Sequence, residues 1–78
     1  MSLVLVTRQG CHLCDETLVL LRDLGHEPEV VDVDSDDRLH DLYDWRVPVV
    51  VVDGRVVAEG KITRRQLELA VGKGSREL

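Results

Sequence analysis

Short apolar runs alternate along the chain with segments in which apolar residues recur every three or four positions. The runs at residues 3–6, 30–33 and 49–52 are typical of strands, and the first of them is apolar on both faces, which suits a strand that is covered on both sides. The first helical segment, residues 11–24, ends before Gly25, a residue type that often terminates helices in the left-handed conformation. Its inward face is predicted to consist of leucines: Leu13, Leu18, Leu20, Leu21 and Leu24.

Turn residues locate the second helix and a hairpin. Asp34 or Ser35 is expected to cap a helix over residues 36–43. Asp53-Gly54 is a two-residue hairpin signature, and it predicts that residues 55–58 return antiparallel to the third strand. The second helix is expected to turn three side chains inward: Leu39, Leu42 and Tyr43.

A capping box predicts the last helix, because Thr63 is a suitable N-cap and Gln66 lies three residues later. The element order is therefore β-α-β-α-β-β-α, which predicts an α/β fold with a four-stranded mixed sheet and helices on both faces. The first two strands should pair in parallel, since a helix connects them. We expect one domain over residues 1–71 and a disordered tail over residues 72–78, which are polar and contain glycine.

Charge and composition exclude several functional classes. The chain has 78 residues, 15 acidic and 10 basic side chains and a net charge of −5, so it lacks the basic face that binders of nucleic acids or anionic membranes need. No apolar run approaches the roughly 20 residues of a membrane-spanning helix. The N-terminus has no basic and apolar leader, and we expect a cytoplasmic protein that acts as a monomer.

The only two cysteines, Cys11 and Cys14, lie at the predicted junction of the first strand and the first helix. Residues three apart on a helix have Cβ atoms about 5–6 Å apart, and a slight tightening brings them to the roughly 3.8 Å of a disulfide. The helix N-terminus offers unpaired N–H groups and a partial positive charge, which favour a thiolate. Arg8 adds to this effect and Asp15 and Glu16 oppose it, so we expect the pKa of Cys11 to lie moderately below that of a free thiol.

These motifs resemble those of glutaredoxins and glutaredoxin-like proteins, which have the thioredoxin fold. The resemblance rests on "RQGCHLC", on "DVDSDDRLHDLYDWRVPVVVVDG" and on "EGK" before the last helix. It implies that Cys11 is the exposed nucleophile and that Cys14 is the less exposed thiol that resolves a mixed disulfide. His12-Leu13 stands between the cysteines where glutaredoxins usually have Pro-Tyr, and Gly60 stands alone where they usually have two glycines.

The resemblance also assigns residues that bind substrate. Val47-Pro48 matches the position of a cis proline whose preceding residue pairs, through its backbone, with bound glutathione or peptide. Arg8 matches a basic position that contacts a glutathione carboxylate, and Gly60 lies in the turn that binds the glutamyl end. His12 either tunes the thiols or contacts the partner, or it is simply exposed at the helix start.

The resulting hypothesis is a small dithiol oxidoreductase that reduces protein or glutathione mixed disulfides through Cys11 and Cys14. Glutathione as a co-substrate, or a thioredoxin reductase, would regenerate the dithiol, and no bound cofactor is expected. No metal is expected either, because zinc normally needs four ligands and only His12 lies near the cysteines. The alternative is a non-catalytic binding module of the same fold, or an iron–sulfur or metal carrier that uses the same cysteines.

Four other residues carry less definite expectations. Trp45, which lies just before Val47-Pro48, either forms a wall of the substrate groove or packs under the second helix. Arg46 either attracts an acidic partner or is only solvated. His26 and His40 are expected at ordinary surface positions.

Overall fold

The computed structural model describes residues 1–72, so that most of the tail expected to be disordered lies outside the described residues. The order of strands and α-helices is the predicted one, with a single turn of 3-10 helix, Val33–Ser35, added before the second helix. No helix within residues 1–72 is both long enough and apolar enough to cross a membrane. The elements are β1 Leu3–Thr7, α1 His12–Asp23, β2 Glu29–Asp32, α2 Asp37–Tyr43, β3 Val49–Val52, β4 Arg55–Glu59 and α3 Arg64–Val71.

The four strands form one mixed sheet in the order β2-β1-β3-β4. β1 runs parallel to β2 and antiparallel to β3, and β4 runs antiparallel to β3. The hairpin turn has Asp53 at φ 51° and Gly54 at φ 83°, the left-handed conformations that a tight two-residue turn requires. Val50 pairs with Ala58 but Val51 pairs with Val56, so Val57 is an additional residue that makes a bulge in β4. The predicted mixed sheet is thus confirmed.

Alternation along the strands gives the sheet two apolar faces. Leu5 and Val50 lie on one face, while Val6 and Val49 lie on the other. The first face packs against α1 and α3, in a cluster that also contains Leu21, Leu24, Ala58, Ile62 and Leu67. The second face packs against the 3-10 turn and α2, through Val33, Leu39 and Tyr43. Helices therefore cover both faces, as the apolar strands predict.

The inward face of α1 differs from the predicted row of leucines. Leu13 is 37% exposed, so its predicted place in the core is wrong, and Leu18 and Leu20 are only partly buried. Thr17 lies inward because its hydroxyl donates to the carbonyl of Leu13 at 3.0 Å, which satisfies the polar group inside the core. The buried residues of α1 are Cys14, Thr17 and Leu21.

The start of α2 also differs from the prediction. Asp34 and Ser35 belong to the 3-10 turn, and the N-cap is Asp36, whose carboxylate accepts from the amide of Arg38 at 2.7 Å. Leu42 is 56% exposed, so the expectation that it faces inward is wrong. By contrast, the capping box of α3 is present as predicted, with reciprocal bonds between Thr63 and Gln66.

Replacing Leu67 on α3 should test the core between the helices and the first face of the sheet. Leu67 is 0% exposed, so Leu67→Ala should lower the free energy of unfolding by about 2–5 kcal/mol in urea denaturation. Leu69→Ala is a matched control on the same helix: Leu69 is 78% exposed, and its loss should change the stability by less than about 0.5 kcal/mol. Equal effects of the two substitutions would contradict this packing.

Candidate active site

Cys11 is the N-cap of α1. Its backbone is extended, at φ −85° and ψ 109°, and its sulfur accepts from the amide of Cys14 at 3.1 Å, in the position where a serine or aspartate oxygen usually caps a helix. The amide of Cys11 donates to the carbonyl of Arg8 at 3.1 Å and closes a turn that contains Gly10 at φ 79°. The end of β1 therefore delivers the sulfur directly to the start of the helix.

Cys11 and Cys14 are joined by a disulfide, and their Cα atoms are 5.2 Å apart. Cys14 is 1% exposed and belongs to the buried face of α1, whereas Cys11 is partly exposed. The two cysteines thus differ in accessibility, since Cys11 is partly open to solvent and Cys14 is not.

Val47-Pro48 lies at the same edge of the sheet as the dithiol. Val6 pairs with Val49, so the end of β1 and the start of β3 are neighbours. The Val47-Pro48 peptide bond is cis, and Pro48 is buried while Val47 is partly exposed. Val47-Pro48 and the end of β1, which leads to Cys11, therefore lie at the same end of the sheet, and the predicted contact of Val47-Pro48 with substrate stays a prediction.

Gly60 connects the turn after β4 to the segment that contains Arg46 and Pro48. Its amide donates to the carbonyl of Pro48 at 2.9 Å and also points to that of Arg46 at 3.2 Å, with Gly60 at φ 72°. Its N–H is used inside the chain, so binding of a glutamyl group at this turn would depend on other donors. The role of Gly60 in binding substrate stays a prediction.

Arg8 connects the loop of residues 8–11, which we call the cysteine loop, to the 3-10 turn and to the end of α2. Its guanidinium donates twice to the carboxylate of Asp34, at 3.0 Å each, and once to the carbonyl of Asp44 at 3.2 Å, and it forms an ion pair with the Asp44 carboxylate. These hydrogen bonds and charges raise the pKa of Arg8 and hold the pKa of Asp34 below its usual range. A glutathione carboxylate, the predicted partner of Arg8, would have to compete with both aspartates.

His40 lies beside the same two aspartates. It is about half exposed, and its Nε2 is 3.3 Å from Asp44 and 3.8 Å from Asp34. The three side chains bring their ligand atoms within 4.8 Å of one another, which is close enough to hold a metal ion. However, Arg8 already donates to both carboxylates, so this cluster contains a cation of its own.

His26, the other histidine expected at the surface, is partly buried, with Nε2 2.8 Å from the carbonyl oxygen of Gly72.

Trp45 and Arg46, in the segment before Pro48, have different surroundings. Trp45 is 92% exposed, so the interpretation that it packs under the second helix is wrong. Arg46 forms an ion pair with Glu59, and its guanidinium lies 5.3 Å from the centre of the Tyr43 ring. Arg46 is therefore engaged within the chain, whereas the Trp45 side chain lies in solvent.

His12 lies on the open side of the helix start. Its side chain is 91% exposed, and Nε2 lies 3.7 Å from the carboxylate of Glu16, one helical turn later. This position is compatible with both interpretations of His12, a contact with the partner or a merely exposed residue.

The sequence did not indicate which acidic residues pair with Arg8 and Arg46. Asp34 lies 26 positions from Arg8, Asp44 lies 36 positions from it, and Glu59 lies 13 positions from Arg46. No local spacing rule links such pairs, because only the tertiary fold brings them together. The one available signal was the excess of acidic residues in the segment before Val47.

A cysteine pair at the start of a helix, with a cis proline just before a neighbouring strand, is typical of redox proteins with the thioredoxin fold. The chain belongs to the Glutaredoxin-like domain (DUF836) family, whose sequence profile matches residues 2–71. The resemblance stated from the sequence is confirmed, and the Cys pair in this family context indicates a redox role.

Two solved structures are similar to this chain. The X-ray structure of the structural genomics target protein XcR50 from X. campestris is 29% identical, with a TM-score of 0.79 over 90% of this chain and 95% of that one. The solution NMR structure of protein Ne2328 from Nitrosomonas europaea is 31% identical, with a TM-score of 0.76 over 88% of each chain. No protein with a curated description matches the sequence.

The ion pair of Arg8 with Asp34 should give the stability a dependence on pH. Because the pKa of Asp34 is lowered in the folded state, the pair stabilises the fold above the ordinary aspartate pKa of about 3.9, and this contribution is lost as the pH falls below that value. Arg8→Gln should therefore destabilise the protein near neutral pH, and the difference from the unsubstituted protein should shrink as the pH falls through the lowered pKa of Asp34.

Urea unfolding at several pH values checks this expectation. Arg22→Gln is a suitable control, since Arg22 pairs with Glu27 at an exposed site on α1, away from the cysteine loop, and should matter little at any pH. A loss of stability in Arg8→Gln that is equally large in acid would contradict the assigned ion pair.

Proposed function

We propose that this protein is a thiol–disulfide oxidoreductase that reduces disulfides through Cys11 and Cys14. The observation that carries the proposal is the hydrogen bond from the amide of Cys14 to the sulfur of Cys11, 3.1 Å long, at a partly exposed helix N-terminus. The acceptor in this structure is a disulfide sulfur, and in the reduced protein the same donor would stabilise the thiolate, which is the nucleophilic form of cysteine. Burial of Cys14 supports the complementary role of a resolving thiol.

The proposed reaction has two exchange steps. The Cys11 thiolate attacks one sulfur of the substrate disulfide, a mixed disulfide forms, and the other substrate sulfur leaves as a thiolate that takes a proton from water. Cys14 then gives its proton to solvent and its sulfur attacks Cys11. The mixed disulfide breaks, and the second substrate sulfur leaves and is protonated. The substrate gains two electrons, and the protein ends with its Cys11–Cys14 disulfide.

Two neighbouring residues have supporting roles in this proposal. Val47 offers its backbone to the substrate beside the attacking sulfur, as its position before Pro48 implies. The buried Pro48 holds this segment at the edge of the sheet, together with the bond from Gly60. A reduced thiol, from glutathione or from a reductase, would return the disulfide to the dithiol.

Replacing each cysteine in turn should separate the two roles. Cys11→Ser should reduce a model disulfide no faster than the uncatalysed reaction, since no accessible nucleophile remains. Cys14→Ser should instead accumulate a covalent mixed disulfide on Cys11, which intact-protein mass spectrometry detects.

The outcomes distinguish the proposal from its alternative. Full reductase activity in Cys11→Ser would show that the roles are wrong. A protein that is purified with iron, and whose dithiol stays reduced when a disulfide is added, would support the carrier function instead.

A further inference from the structure

A negatively charged substrate would have to compete with carboxylates of the chain for both Arg8 and Arg46. Arg8 is held by the carboxylates of Asp34 and Asp44, and Arg46 is held by Glu59. Glutathione and its disulfide carry more carboxylates than ammonium groups, so both are net anions. Free cations at a site would favour their binding. At this site both arginines already have anionic partners within the chain.

The charge around the dithiol is negative. Asp15 follows Cys14 in the first turn of α1, and Glu16 lies next to it, within 3.7 Å of His12. The charged side chains of these segments comprise more acids than bases: Asp15, Glu16, Asp34, Asp44 and Glu59 against Arg8, Arg46 and Lys61, besides His12 and His40. Such a surface attracts a positively charged partner and repels an anionic one.

Trp45 offers an exposed apolar side chain on the segment that Arg8 ties to the loop before Cys11. Arg8 donates to the carbonyl of Asp44, so it holds the peptide that leads into Trp45, and the carbonyl of Arg8 accepts from the amide of Cys11. Arg8 therefore links the segment that contains Trp45 to the cysteine loop. Its side chain is 92% exposed, and tryptophan is among the residues that most often dominate the binding energy of protein interfaces.

We propose that the substrate is a disulfide in a polypeptide segment with basic residues near its cysteines, anchored on Trp45, and that glutathione disulfide is a poorer substrate. This inference rests on the proposed reductase function and names its substrate class. The reaction is the same pair of exchange steps, with the peptide disulfide as the electron acceptor.

The experiment measures how fast the reduced full-length chain is oxidised by four disulfides. Two are peptides of one sequence that differ only in having lysine or glutamate beside the disulfide, and the others are glutathione disulfide and uncharged hydroxyethyl disulfide. Each rate constant is divided by that of the same disulfide with dithiothreitol, which removes differences in intrinsic reactivity. Acid quenching, alkylation and mass spectrometry give the fraction oxidised.

We expect the lysine peptide to react about tenfold or more faster than the glutamate peptide at low ionic strength, with the ratio falling towards one as salt is added. Glutathione disulfide should be slower than the lysine peptide. Asp15→Asn combined with Glu16→Gln should reduce the preference for lysine. Trp45→Ala should slow the lysine peptide several-fold more than it slows hydroxyethyl disulfide, while Leu69→Ala, at an exposed position of α3, should change neither rate.

Two results would overturn the inference and leave the reductase function intact. One is equal normalised rates for the two peptides at low salt. The other is glutathione disulfide as the fastest substrate, above all if Lys61→Gln then slows it, since Lys61 is exposed beside Gly60 and would supply the positive charge. If none of the four disulfides oxidises the protein, it is the proposed reductase function that fails.

Discussion

The hydrogen bond from the amide of Cys14 to the sulfur of Cys11 is the contact on which the site depends. It makes the sulfur the cap of α1, so the place where the helix begins and the place where the reactive atom lies are the same. Cys14 is at the same time part of the buried stripe that attaches α1 to the sheet. Packing of the helix therefore positions both sulfurs, one at the surface and one beneath it.

The rest of the site is held by contacts between elements that are distant in sequence. Antiparallel pairing of β1 with β3 places the segment before Pro48 beside the cysteine loop. Arg8 fastens that loop to the end of α2, and Gly60 fastens the turn after β4 to Pro48. Arg8 and Arg46 are both paired with carboxylates, and we propose that acidic side chains and Trp45 shape the surface that a substrate meets.

Features set by neighbouring residues were predictable, and features set by the tertiary fold were not. The valine run of β3, the Asp53-Gly54 turn and the capping box of α3 depend on a few adjacent positions, and all three are present. The inward face of α1 was misjudged because Thr17 can be buried once its hydroxyl bonds to the helix backbone. The cysteine pair was visible at once in the sequence, whereas the pairing of Arg8 with Asp34 and Asp44 follows only from the folded chain.

Alkylation of the reduced, folded protein with iodoacetamide tests the central claim most directly. If Cys11 is an accessible sulfur stabilised at a helix N-terminus and Cys14 is shielded, peptide mapping should find a single modification, on Cys11. It should form faster near pH 7 than the modification of an unperturbed thiol such as free glutathione, whose pKa of about 8.5 or above leaves little thiolate. Modification of both cysteines at the same rate, or of Cys11 more slowly than the free thiol, would contradict the account.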